Sequence, residues 1–183
     1  MLSKLARSLV ILTALTVAGL VTTTALAERI KDEGSFDVTY VKHEALPVPD
    51  QEGHVLLQTE SSGTSSNPGG LIDGVATTVY EIADLRQGNG QHQGYVIFKK
   101  DTNQQVVKYD GTVTTTMQDG QPKTTMKGKY VIVDGTGALA GIEGEGTYAG
   151  YFTAEDKYHV DWEGSRSQPN DSVAQSKEYG MVG

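Results

Sequence analysis

Residues 129–164 read KYVIVDGTGALAGIEGEGTYAGYFTAEDKYHVDWEG, and the way this stretch alternates and breaks decides the fold. Apolar and polar side chains take turns along its extended runs, the period of a strand with one face on a core. Between the runs stand Gly135, Gly137, Gly141, Gly144 and Gly146, and further on the short connection Ala154-Glu155-Asp156. Strand, glycine-rich corner, strand, tight turn, strand is the order of a twisted antiparallel sheet of the kind that closes into a barrel. Gly135-x-Gly137 followed by Gly141 also mimics a dinucleotide-binding loop, but that fingerprint needs a helix to carry the pyrophosphate. Here more glycines follow within one or two turns and Thr147 opens another strand, so the stretch is a corner between strands.

The same texture extends upstream. Runs rich in Val, Thr, Tyr, Ile and Phe fall at 35–42, 54–61, 72–85, 94–100, 106–117 and 123–133, ahead of 145–153 and 157–164. Gly, Asn, Asp and Pro separate them, the all-β signature. Residues 62–70 form a loop around Asn67-Pro68-Gly69-Gly70, 87–93 (QGNGQHQ) a polar turn, 101–103 a hairpin tip, and Asp119-Gly120 a type I′ turn. The expectation is a single all-β domain over residues 28–164, an antiparallel β-barrel of about eight hairpin-connected strands. A barrel of about that size is just wide enough to fill with side chains or to hold one small ligand. Residues 165–183 turn polar, lose the alternation and read as a C-terminal tail.

Ahead of the strands, Lys4 and Arg7 precede an apolar run over 8–21, and Ala25-Leu26-Ala27 is a cleavage site of the A-x-A type. Residues 1–27 therefore read as a cleaved signal peptide, the run being shorter than the ~20 residues of a membrane-spanning helix. No cysteine follows the site to carry a lipid, and no stable membrane insertion is expected after cleavage. The chain has no cysteine anywhere, so it stands on packing and strand pairing, which suits a bacterial periplasmic or secreted protein. The formal net charge of −8 becomes more negative when Lys4 and Arg7 leave with the signal. An acidic surface without a basic run opposes nucleic acid and anionic headgroups, and nucleic-acid binding is excluded.

The pattern Asp134-Gly135-Thr136-Gly137, Gly141-Ile142, Gly144 and Gly146 resembles the allene oxide cyclase barrel-like superfamily, which also includes the dirigent proteins. The resemblance covers most of the mature chain in strand order, and its specific part spans 131–151. It implies an eight-stranded antiparallel barrel with an apolar interior, an exported bacterial branch of the group, a trimeric homo-oligomer, and activity by confinement of a reactive small molecule. It assigns no catalytic role to any residue of this chain.

Candidate site residues sit on the strands. Tyr158, Val160 and Trp162 share one face of the last strand, read as the inward face, where the single tryptophan walls a pocket or packs the core. Tyr80, Tyr95 and Tyr148, with Tyr130 and Tyr151, are candidates for the same interior or its mouth. Tyr158, Trp162, Tyr80, Tyr95 and Tyr148 form the expected ligand-binding set. Asp161 and Glu163 then face outward, whereas Glu81 shares a face with Val79 and Ala83 and is the weak candidate for a catalytic acid or base. His43, His54, His92 and His159 show no pairing of metal-ligand spacing and read as surface histidines, so no metal and no cofactor are expected. The leading functional expectation is a barrel enclosing a small, mainly apolar molecule. An isomerase or cyclase acting by confinement, and a structural or interaction protein, are the alternatives; the sequence names no reaction.

Overall fold

The computed structural model describes residues 29–168; the expected signal peptide and most of the expected tail lie outside them. Eight strands follow in chain order: β1 Ile30–Pro47, β2 His54–Ser66, β3 Ala76–Arg86, β4 Asn89–Lys100, β5 Asn103–Gln118, β6 Gln121–Thr136, β7 Gly144–Ala154 and β8 Lys157–Arg166. Each pairs antiparallel with the next, and β8 returns to β1 to close the barrel. Closure removes the free edges that an open antiparallel sheet presents.

Short turns drive this topology. Asp119 and Gly120 both take positive φ, as do Gln87 and Gly88, the geometry of two-residue hairpin loops whose twist matches the strands they join. The corner after β6 is one turn of 3-10 helix, Gly137–Leu139, and Gly144 opens the next strand, so no pyrophosphate-binding helix follows the glycines. Side chains alternate between core and solvent along the strands, save at some strand ends such as 41–47 of β1, which are exposed throughout. Phe36, Val38, Val79, Val96, Phe98, Val107, Tyr109, Met126, Tyr158 and Val160 point inward and form the main core.

Several boundaries differ from the sequence reading. The third strand starts at Ala76; Ile72 and Val75 lie in the loop that precedes it and are buried against the main core. Asn67, 2 % exposed, holds that loop: its Nδ2 donates to the Glu33 carbonyl and to Asp32 Oδ1, and its backbone N–H donates to Asp73. Ile72 is thereby laid against one end of the interior. At the other end a second small core of Ala83, Leu85 and Val113, with Val55 and Leu57 beside it, fills the barrel. The last strand runs on to Arg166, so Ser165 and Arg166 belong to the barrel wall and not to a tail.

The largest departure concerns residues 87–93. Only Gln87 and Gly88 turn; Asn89 onward is strand β4, and His92 faces inward at 3 % exposure. His54 is buried too, under the 48–53 turn, where its ring is bonded by Asp50 and Asp84. Neither is a surface histidine. His159, on the outer wall of β8, sits between Asp37 and Asp161 at 2.9 and 3.1 Å.

Candidate functional site

Inside the barrel the register builds rows of facing residues that cross the strands. One row runs Ala83, His92, Gly111, Gly128, Tyr148, Trp162, from β3 round to β8. The two glycines in its middle are what let the ends meet. A side chain at Gly128 would come within 2.6 Å of the Tyr148 hydroxyl, and one at Gly111 would also collide with it. With both bare, the Tyr148 ring lies flat across β6 and β5 and its hydroxyl reaches His92 Nε2 at 2.8 Å.

The neighbouring row runs Glu81, Gly94, Tyr109, Tyr130, Gly146, Gly164, Asp32. Here Tyr109 leans over Gly94 to donate to Glu81 Oε2 at 3.0 Å, and Tyr130 leans the other way over Gly146 and Gly164. His92 Nδ1 meets the same Glu81 oxygen at 2.7 Å. The result is a hydrogen-bonded chain in an apolar setting. Tyr148 O–H donates to His92 Nε2, His92 Nδ1–H donates to Glu81, and Tyr109 O–H donates to Glu81. A neutral imidazole with its proton on Nδ1 satisfies both of its partners. Both bonds to Glu81 fall on Oε2, which leaves Oε1 for the cavity.

This chain lines one part of a chamber walled by Phe36, Val79, Val96, Phe98, Val107, Met126, Tyr130, Tyr158, Val160 and Trp162. The chamber offers about 60 Å³ to the centres of water molecules. One water needs ~10–15 Å³ on that measure, so there is room for about five waters or a ligand of about as many heavy atoms. At its far part Arg166 Nε donates to Asp32 Oδ2 at 2.7 Å, and Asp32 also takes the Asn67 amide at 3.0 Å. The indole Nε1 of Trp162 is buried without a partner among the described residues, a donor left open where such groups are normally paired.

Burial and the Glu81 charge act together on the tyrosines. Loss of water pushes the Tyr109, Tyr148, Tyr158 and Tyr40 hydroxyls up from their ordinary value, and the nearby Glu81 charge adds to the rise in each. Tyr130 is pushed up to about 12, first by burial and then by Asp32 and Glu163. All these rings therefore stand as neutral hydrogen-bond donors at ordinary pH.

Of the expected binding set, the structure brings Trp162, Tyr158 and Tyr148 to the chamber, and Glu81 with them. Tyr80 and Tyr95 do not belong there. They face each other across β3 and β4 on the outer wall, 44 % and 45 % exposed. Period-two geometry demands it: Tyr80 adjoins Glu81 and Tyr95 adjoins Val96, and neighbours on a strand cannot both point inward. Tyr151 is likewise exposed on the outside. Tyr109 and Arg166 line the chamber without having been singled out in the sequence, and His92, expected at the surface, lines it as well. Among the described residues no group of three or more His, Asp or Glu side chains is placed to hold a metal ion.

The molecule is thus a closed eight-stranded antiparallel barrel with an aromatic chamber and one carboxylate–histidine–tyrosine chain inside it. No protein-family model matches the chain, and no curated protein matches it either. Among solved structures, the pterocarpan synthase dirigent protein GePTS1 is similar, with 11 % identity and a TM-score of 0.43 over 85 % of this chain and 98 % of that one. The pterocarpan synthase dirigent protein PsPTS1 is similar at 12 % identity and a TM-score of 0.43, over 77 % of this chain and 96 % of that one.

Proposed function

We propose that this protein is an exported barrel that encloses one small, mainly apolar molecule. The observation that carries the reading is the chamber itself: an apolar, aromatic-walled space, plugged at one end by Ile72, with a few convergent polar groups. That combination is the usual make-up of a small-molecule site. The A-x-A leader supports export to the periplasm or beyond.

The single tryptophan gives a direct test, since Trp162 stands in the wall. Titration of the purified protein with isopentane should change Trp162 fluorescence in a saturable way. Val160→Phe, which puts a ring into the chamber, should abolish the change while the protein still unfolds cooperatively. A fluorescence response that survives in the filled variant would remove the enclosure reading.

The Tyr148–His92–Glu81 chain favours a second reading, an isomerase or cyclase working by confinement. Passing one proton between the ligand and the chain interconverts two fully bonded arrangements. In one, Glu81 is ionised, His92 carries its proton on Nδ1 and Tyr148 O–H donates to Nε2. In the other, the Tyr148 oxygen has taken a proton from the ligand as its own passed to Nε2 and the Nδ1 proton passed to Glu81, so that Glu81 donates to Nδ1 and Nε2–H donates to Tyr148. A group of this kind can give or take a proton at the Tyr148 hydroxyl without any water. Deuterium exchange into an enclosed ketone, present in the native protein and lost in Tyr148→Phe, is the outcome this reading requires.

A further inference from the structure

The charges inside the chamber do not balance. Asp32, Glu81 and Arg166 are the charged side chains on its wall. Asp32 and Arg166 neutralise each other at 2.7 Å. That leaves Glu81, bonded at Oε2 by the Tyr109 phenol and by His92 Nδ1; with His92 neutral, the form that satisfies both of its partners, no positive charge faces the carboxylate. A carboxylate buried among apolar side chains is costly unless it is paired with an opposite charge. Hydrogen bonds offset part of that cost and no cation on the wall offsets the rest.

Around this carboxylate the wall is aromatic. Tyr109 and His92 lie 5.5 Å apart between ring centres, Tyr109 and Tyr148 5.6 Å, and behind the wall Tyr40 lies tilted against Tyr158 at 5.7 Å. The Glu81 charge raises the hydroxyls of all four tyrosines, which places them within its field. One carboxylate set among electron-rich rings is the arrangement that holds organic cations, through the ion pair and the attraction of a cation to ring faces. The acidic surface of the protein favours the approach of such a ligand as well.

We infer that the enclosed molecule is an organic cation: a small amine whose ammonium group pairs with Glu81 Oε1 and whose short apolar body occupies the rest of the chamber. The inference rests on the enclosure reading and narrows it to one ligand class. In this arrangement the ligand supplies the positive charge that the wall lacks.

Three ligands with a common isopropyl body separate the possibilities: isobutylamine, its uncharged isostere isopentane, and the anion isobutyrate, each titrated into the purified protein and followed by Trp162 fluorescence and by calorimetry. The amine should bind about tenfold or more tighter than isopentane, and the anion should be rejected. The preference should persist in 0.5 M salt, because a buried pair is little screened whereas attraction to the acidic exterior is lost. Glu81→Gln keeps an acceptor for His92 and Tyr109 and should bring the amine down to the level of isopentane. Isopentane binding as tightly as the amine in the native protein, or a preference that disappears with salt, overturns the inference and leaves enclosure standing. Failure of all three ligands to bind overturns both. The native-protein comparison decides the matter even if the Glu81 variant does not fold.

Discussion

At the scale of single residues, the interior is organised by who donates to whom. His92 has only 1 % of its side chain exposed, so each of its ring nitrogens must be paired or pay for desolvation. Tyr148 and Glu81 do that pairing. Tyr148→Phe removes the proton given to Nε2 and keeps the ring, so it isolates the hydrogen bond from the packing. It should lower stability by about 1–2 kcal/mol, read from denaturant midpoints with an unchanged slope. A midpoint equal to that of the native protein would mean that His92 finds another partner. Glu81→Gln takes the opposite sign: it removes a buried charge and keeps an acceptor, so its midpoint should equal or exceed that of the native protein. Glu81 was legible in the sequence because it falls two residues from Val79 and two from Ala83 in an alternating run. The same parity rules out Tyr80, its neighbour, and counting phase from Glu81 would have moved that tyrosine outside. Ring size drew attention to Tyr80 and Tyr95; phase along the strand decides where they go.

At the scale of the element, glycine does in this barrel what a large side chain does elsewhere: it determines where the aromatic rings can lie. Tyr148, Tyr109 and Tyr130 each lean across bare positions on neighbouring strands, which is how three rings share a narrow interior. Gly128 is the clearest case, since a methyl group there would press on both the Asp110 carbonyl and the Tyr148 hydroxyl. Gly128→Ala should therefore cost about 1–3 kcal/mol, the usual penalty for overpacking, and should also break the bond from Tyr148 to His92. The check is a double-mutant comparison. Combined with Tyr148→Phe, the loss should be smaller than the sum of the two single losses, because both act through one contact; strict additivity would separate the glycine from the chain. These glycines were visible in the sequence as strand breakers and corners, but their inward role was not. It depends on which strands stand side by side, and that follows from register. The QGNGQHQ segment hid His92 for a related reason. Its inward positions carry Gly90, His92 and Gly94 and its outward ones Asn89, Gln91 and Gln93, so no apolar alternation marks it as strand.

At the scale of the whole molecule, the barrel reads well from sequence because hairpin turns and alternation are local signals, whereas the two ends and the chamber are not. Closure of β8 on β1 joins residues more than a hundred positions apart, and the Asn67 loop that plugs one end is held by contacts with β1 thirty-four and thirty-five residues away. The enclosed tyrosines give the assembled barrel a property that none of its strands has alone. Tyr109 and Tyr158 are buried with hydroxyls raised above the ordinary value of 10.0, first by burial, with the Glu81 charge adding to the rise. In the unfolded chain they ionise near pH 10; in the barrel they stay neutral well beyond it. Their raised folded-state values contribute stability that is complete below about pH 10 and is lost as pH rises above it, since only the unfolded chain then releases protons. Each such tyrosine should lower the unfolding free energy by about 1.4 kcal/mol per pH unit above pH 10. Denaturant melts between pH 9 and pH 12 should show that steepening loss, and tyrosinate absorbance at 295 nm should show a late step coincident with unfolding. Removing one of the two by Tyr158→Phe should make the decline shallower by one tyrosine's share. If the full absorbance change completes while the barrel is still folded, the interior is open to hydroxide and water, and the chamber is not the closed aromatic space on which the functional reading stands.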